Sequence, residues 1–410
     1  MALLKEIADV QTGPFGSQLH KEDYVEVGTP IVTVEHLGNR IFTEQNLPMV
    51  SDEDKERLSK YILQEGDIVF SRVGSVDRCS YVDGAHDGWL FSGRCLRVRP
   101  NHNVDAEYLY YFFTKEETKQ LIRSIAVGAT MPSINTNILN NVEVQLPSLV
   151  IQRKIARVLS VIDKKIEVNN EINRNLYEQI GTLCEAWLTD YEPFGGVCPE
   201  DWIVTPLSDI AEFISGYSYK GKELVEESKV AMATIKNFER KGGFKLDGYK
   251  TIEPSDKLKE VQHVELFDTL VAHTDLTQNA DVIGNAELVL SKFGYDDIVF
   301  SMDLVKVLPK NESISPFLLA ALLHSNSFKQ HCLGYVNGTT VLHLSKKALP
   351  DYELPLPKDM SQLKTLDRLL EVLYKQIATN IESNIRFEKL RDSLLPMLMS
   401  GKLDVSDLNI

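Results

Sequence analysis

The sequence predicts an α+β protein built twice over: two tandem units of mixed strands and helices, each followed by one long helix, with the two long helices packed as an antiparallel coiled coil and the halves related by an internal pseudo-twofold repeat. Three observations carry this. Short stretches of the first half recur, in order, in the second. Two long segments place apolar side chains at three- and four-residue steps. A stretch rich in Pro and Gly stands between the halves.

The repeat decides the architecture, so it comes first. LKEIADVQTG (Leu4 to Gly13) matches LSDIAEFISG (Leu207 to Gly216) at an offset of 203. TVEHL (Thr33 to Leu37) and GDIVFSR (Gly66 to Arg72) match TIKNF and FDTLVAH at an offset of 201. GATMPSIN (Gly128 to Asn135) and NVEVQLP (Asn141 to Pro147) match GTTVLHLS (Gly338 to Ser345) and YELPLP at an offset of 210. Five weak matches in one order, with a slowly drifting offset, make the chain two copies of one unit of roughly 200 residues.

The first unit, residues 1–147, reads as strands at ADVQTG, PIVTV, GDIVFSR and LRVRP, and as one helix from Glu107 to Ile122. SDEDKE (Ser51 to Glu56) reads as a solvated helix start. From residue 148 to 192 the character changes. Ile155, Leu159, Ile162, Ile166, Ile172, Leu176, Ile180, Leu183 and Trp187 keep helical spacing, with Gly181 the one weak spot. Such a helix is about 40 residues and about 60 Å long. Residues 193–205, opening with PFGGVCPED, read as a linker. The second unit spans 206–357, its long helix 358–400 and a tail 401–410. Asn169, Asn173, Asn380 and Asn384 stand where the helix stripes predict apolar residues. Either they face solvent, or they pair across the seam and set the helix register.

The bulk numbers bound the function. At 410 residues, two or more domains are expected. The longest apolar run, FLLAALL (Phe317 to Leu323), is far short of a membrane span. Five scattered cysteines without CxxC suit a reducing compartment and argue against zinc. A net charge of −15 argues against a lone non-specific nucleic-acid binder, although Arg72 to Arg99 is locally basic.

Enzyme motifs fail one by one. GYSYKGKE (Gly216 to Glu223) misses a phosphate loop at its last position, where Glu223 replaces the hydroxyl that reaches magnesium. Its repeat partner GPFGSQLH lacks the lysine. No G-x-G occurs, so there is no cofactor loop of the methyltransferase kind. No H-E-x-x-H or G-x-S-x-G is present. The design is geometric: two similar units on long helices suit a two-part target, with the helices setting the distance.

These stretches give the chain a resemblance to the specificity subunits of Type I restriction-modification systems. It is carried by IADV and IAEF before glycine turns, GDIVFSRVG, GATMPSIN and GTTVLHLS. It is carried also by VQLPSLVIQRKIARVLSVIDKKIEVNNEI, whose second copy LPLPKDMSQLKTLDRLL keeps Gln362 at the place of Gln152, and by SLLPMLMSGKLDV. Two departures stand out. His273 replaces Arg72, and CPEDWIVTPL precedes the second copy while the first begins almost at Met1, so that its start lies upstream or its first strand is missing.

The resemblance implies two target-recognition domains, each reading half of a bipartite double-stranded DNA site, on spacer helices. It implies a cytoplasmic subunit of phage defence with no catalysis, metal or cofactor of its own. Two methyltransferase (modification) subunits would bring S-adenosylmethionine and methylate adenine, and restriction subunits would cleave DNA using ATP and Mg2+. Base edges are read by side chains on loops, Arg to guanine and Asn or Gln to adenine. The loops after GDIVFSR and GATMPS, and their repeats, put forward Arg72, Ser75, Arg78 and Thr130 in the first unit and Lys236, His273, Gln278, Asn279 and Thr340 in the second. For each, plain surface or loop-stabilising polarity is the competing reading. Arg153, Arg157, Lys164, Lys165, Leu394 and Met399 are the expected partner-facing residues of the helices. Two other classes stay open: an adaptor with protein-binding domains on a helical spacer, and an enzyme with an unrecognised site. Steep salt dependence marks the DNA reader.

Overall fold

The computed structural model describes residues 1–14, 16 and 18–408. Phe15 and Ser17 of the GPFGSQLH stretch, and Asn409 and Ile410 of the tail, lie outside the described residues. The chain forms two compact units. The first is Met1–Ile166 with Phe387–Ile410, and the second is Glu167–Arg386. Both divisions fall inside a long helix, because each mixed domain buries its apolar face against segments of both helices.

In the first unit a four-stranded antiparallel sheet runs in the order Ala8–Thr12, Cys95–Pro100, Ile68–Ser71, Cys79–Tyr81. A second sheet joins Tyr24–Val25, Met49–Val50, Thr29–Val32 and Leu90–Phe91, the last pair parallel. Ala2–Leu3 pairs with Glu143–Val144. The acidic stretch is a short helix, Asp52–Arg57, whose first turn is capped by the Ser51 hydroxyl accepting the Asp54 N–H at 3.1 Å. The helix expected over Glu107–Ile122 is two helices, Ala106–Thr114 and Glu116–Ile125, broken where Lys115 turns extended. The first of these is buried nearly all round, with Tyr108, Leu109 and Phe113 in the core. The second is amphipathic and exposed on one side, and one straight rod could not serve both environments.

The second unit repeats the plan. Its antiparallel sheet is Ala211–Ser215, Leu304–Pro309, Thr269–Ala272, Ala286–Leu288. Val230–Ala233 pairs antiparallel with Lys250–Thr251 and parallel with Asp297–Phe300. Trp202–Pro206 pairs with Glu353–Pro357 over five residues, so the end of the expected linker is a strand of this domain.

The long helices run Leu149–Leu188 and Lys364–Met399 and pack together, antiparallel. The second carries Pro396 in its last turns, where the ring removes one N–H bond to the preceding turn. Gln152 explains part of the L-P-then-helix stretch. It is 2 % exposed, accepts the Asp105 N–H at 2.9 Å and donates to the Pro147 carbonyl at 2.8 Å, fixing the helix start to the domain. Gln362 does a different job, accepting from the Trp202 indole at 3.0 Å.

In the first unit a polar cluster joins helix to domain. The Tyr111 hydroxyl donates to Asp163 at 2.5 Å, Arg391 donates to the other Asp163 oxygen at 2.8 Å, and Arg40 pairs with Glu107 at 2.5 Å. In the second unit the asparagines meet across the helices. Asn169 donates to Asn384 at 2.7 Å, Asn384 to Asn170 at 2.8 Å, and Asn380 to Asn173 at 2.7 Å. Asn173, Asn380 and Asn384 are buried. An amide in such a seam costs stability unless its partner is in register, so this ladder penalises any slip of one helix along the other.

Candidate functional site

In the first unit the strand Ile68–Ser71 runs into the turn 72–78, and a second turn, 127–133, lies beside it. Val73 and Val127 both bridge to Ser133. The Gly74 N–H donates to the Pro132 carbonyl at 2.8 Å, and the Ile134 N–H to the Arg72 carbonyl at 2.9 Å. Gly128 has φ +110, and a side chain there would put Cβ 2.6 Å from the Met131 carbonyl oxygen, so the GATMPS turn requires glycine.

The second unit builds the same juxtaposition. Thr274–Asp275 pairs with Leu342–Leu344, which pairs with Val336–Asn337. The Leu344 N–H donates to the His273 carbonyl at 2.8 Å. Gly338, at φ +115, is the counterpart of Gly128, and a side chain there would put Cβ 2.2 Å from the Val341 carbonyl oxygen. The loop that joins the strand Ile68–Ser71 to the edge strand Cys79–Tyr81, and its counterpart in the second unit, differ in length. The loop is 72–78 in the first unit and 273–285 in the second, which accounts for most of the offset drift along the repeat.

These turns bring several of the sequence-selected residues together. Ser75 and Thr130 are exposed on the paired turns of the first unit. Arg72 is half-buried beside them and donates to the Gly93 carbonyl at 3.2 Å. Arg78 lies on the same turn but reaches back to donate to the Leu37 carbonyl, packed under Gly38, so its head group braces the 37–40 segment. In the second unit Gln278, Asn279 and Thr340 are exposed, and Gln278 donates to the Thr339 carbonyl at 2.8 Å, tying loop to turn. His273 is half-buried, and its imidazole is held below the usual range by burial and then by His343 and Lys346, with Asp303 opposing. Lys236 stands on a separate exposed turn, Ile235–Asn237.

Sequence reading missed apolar members of these surfaces. Val127 and Met131 in the first unit, and Leu276 and Met302 in the second, are large apolar side chains more than half exposed. Met131 sits inside the GATMPS stretch, and Leu276 inside the longer loop that the offset drift marks, so both had a signal.

On the helices, Arg153, Arg157, Lys164 and Lys165 are exposed. Met399 is a correction. It is 3 % exposed and packs in the first unit's core with Leu395 and Leu398, so it cannot face a partner. Leu394 is half-buried against the same core. The helix end closes that core, and its apolar residues are used there.

The near-phosphate loop GYSYKGKE folds as a capped turn. The Glu223 carboxylate accepts the Tyr217 hydroxyl at 2.9 Å and the Lys220 N–H at 3.2 Å, filling the place an anion would take. Among the described residues no group of three or more His, Cys, Asp or Glu could hold a metal ion, and no helix is long and apolar enough to cross a membrane.

The family model described as the Type I restriction modification DNA specificity domain matches residues 2–178 and again residues 199–386. The chain is 25% identical to the Type I restriction enzyme MjaIX specificity subunit of Methanocaldococcus jannaschii, covering 99% of this chain and 93% of that one. It is 22% identical to the Type I restriction enzyme HindI specificity subunit of Haemophilus influenzae, over 84% and 88% of the two chains. Its fold is similar to the crystal structure of the Type I restriction-modification S subunit from M. genitalium, with a TM-score of 0.59 at 15% identity, covering 97% of this chain and 95% of that one. Two matches to one family model, falling on two units with the same strand order and the same pair of apposed turns, make this chain a member of the Type I restriction-modification specificity subunit family.

Proposed function

We propose that each unit reads one half of a bipartite double-stranded DNA site, that the long helices set the spacing and dock two methyltransferase subunits, and that restriction subunits join the same complex. The chain itself is non-catalytic in this reading, with S-adenosylmethionine, ATP and Mg2+ belonging to the partners. The observation that carries it is the twofold occurrence of one surface. In each unit, a strand-end loop and a glycine turn are locked side by side with polar and apolar side chains projecting from them. Polar heads read base edges, and exposed apolar groups meet the thymine methyl. The net charge of −15 fits a subunit whose partners complete the grip on the phosphates. The helix faces around Arg153, Arg157, Lys164 and Lys165 are the docking surface this assigns.

The test is the methylated motif directed by the full complex, mapped genome-wide. Arg72→Ala should relax one position in one half of the motif, and Gln278→Ala one position in the other half, each costing about 1–3 kcal/mol. If either substitution changes both halves, or neither changes any base, the assignment of one half-site to each unit is wrong.

The His273-for-Arg72 exchange makes the two halves differ with pH. A guanidinium and an imidazole are not equivalent here, since an imidazole gains a charge only below its pKa. In the free chain His273 titrates below the usual 6.5, and a DNA phosphate beside it would favour the charged form. Affinity should therefore rise as pH falls from 8 to 6, and the rise should vanish in His273→Gln. The sign for stability is opposite. The folded chain binds the His273 proton less readily than the unfolded chain, so this group's contribution is present above 6.5 and is lost as pH falls through its lowered folded value. Fluorescence anisotropy with the target duplex at fixed salt separates the two. An unchanged pH slope in His273→Gln would remove His273 from the contact.

A further inference from the structure

The long loop of the second unit is held from both sides by charged side chains, one buried and one half-buried. Asp275, 3 % exposed, sits at its base. One carboxylate oxygen accepts the Thr277 N–H at 2.7 Å and the Thr277 hydroxyl at 2.9 Å, and the other accepts the Val282 N–H at 2.9 Å. From the neighbouring helix Asn326–Leu333, Lys329 donates to the Asp281 carbonyl at 2.8 Å, the Ile283 carbonyl at 2.6 Å and the Asn285 side-chain oxygen at 2.7 Å. All three ammonium hydrogens are thereby used on one loop.

Two backbone features show how closely this loop is determined. Ala280 is buried at φ 53, a left-handed conformation that residues other than glycine adopt only when their surroundings impose it. Gly284, at φ +76, lies so close to the helix that a side chain there would put Cβ 2.6 Å from the Cys332 Cβ. Between the two clamps, Leu276, Gln278 and Asn279 point outward. The first unit's turn 72–78 is too short to need such support.

We infer that Asp275 and Lys329 are positioning residues for recognition. They hold the 274–285 loop in one conformation, so that Leu276, Gln278 and Asn279 meet one half-site already ordered. This rests on the DNA-reading role proposed above. Ordering a loop at the moment of binding costs conformational entropy, and a loop ordered beforehand avoids that cost and discriminates better between bases. Partial burial keeps the Lys329 ammonium below its usual range, with Cys332, Asp275 and Asp281 opposing.

Lys329→Met removes one clamp and Asp275→Asn the other, the latter by replacing an acceptor of the Val282 N–H with a donor. Each full-length variant, in complex with its methyltransferase subunits, is examined by hydrogen exchange and by the methylated motif. Amides of 277–284 should exchange at least tenfold faster, while those of the strands Thr269–Ala272 and Leu304–Pro309 stay as they were. The motif should become degenerate in one half only, the half altered by Gln278→Ala. Unchanged exchange in 277–284 overturns the clamp whatever the DNA result. Faster exchange throughout the second unit overturns it too, since the residues would then be merely structural. Faster loop exchange with an unaltered motif overturns the recognition role. Failure of the wild-type complex to produce any bipartite motif would instead defeat the DNA-reading role, and the exchange comparison would still decide the clamp.

Discussion

Inserting one heptad into both long helices, after Glu167 in the first and before Arg386 in the second, is expected to lengthen the gap in the methylated motif by up to about three base pairs, with both half-site sequences unchanged. Seven residues are close to two helical turns, so the apolar stripe keeps its face. They add about 10 Å at ~1.5 Å per residue, against ~3.4 Å per base pair along the duplex. Both helices must be lengthened. The Asn169–Asn384 and Asp163–Arg391 contacts share one antiparallel register, and an insertion in one helix alone would shift the two contacts apart by seven residues. A single-residue insertion rotates the stripe by about 100° and should only damage packing. Methylation of the original spacing by the doubly lengthened chain would show that the helices do not set the distance. Changed bases at constant spacing would remove the assignment of one half-site to each unit.

Asp163→Ala should destabilise the first unit by about 3 kcal/mol, lowering the protection of amides in Ala106–Thr114 about a hundredfold in hydrogen exchange. The Asp163 side chain is 5% exposed and receives Tyr111 and Arg391 on its two oxygens. Without it, a buried hydroxyl loses its acceptor and a largely desolvated guanidinium loses its counter-charge. The same carboxylate helps hold the Tyr111 phenol far above its usual range, behind burial as the larger cause. Replacing the pair together, as Asp163→Leu with Arg391→Met, should recover part of the loss, because well-packed apolar side chains substitute for a buried pair at small cost. A loss below ~1 kcal/mol in Asp163→Ala would mean that the cluster does not hold domain and helix together.

Much of this organisation was legible in the sequence, and the errors share a cause. The strands at ADVQTG, GDIVFSR and LRVRP and the long helices follow from local pattern, and the glycines of GATMPS and GTTV mark turns that only glycine can make. The break at Lys115 was not legible, because it depends on which neighbours the two halves of that segment meet. The strand Trp202–Pro206 falls, up to residue 205, in the stretch that reads as linker, because its partner, Glu353–Pro357, lies far along the chain. Met399 was placed on a partner surface because periodicity gives a helix an apolar face without saying what covers it. Of the candidate reading residues, Arg78 has a contact that local pattern does not name. Its residue type suits a base edge, but its head group is turned to the Leu37 carbonyl.

By itself, then, the sequence determined what depends on near neighbours: the doubled plan, the helical stripes with their misplaced asparagines, and the glycine turns. Tertiary structure decided what depends on residues far apart in the chain. Asp163 meets Arg391 across 228 positions, Asn169 meets Asn384 across 215, and Lys329 reaches back 44 to Asn285. Backbone periodicity and turn geometry are set within a few residues and leave their mark in composition. A buried charge or amide finds its partner only when two surfaces meet, and until then Asp163 and Lys329 look like any other polar side chain on a helix, while Asn169 shows a break in its stripe without naming what fills it.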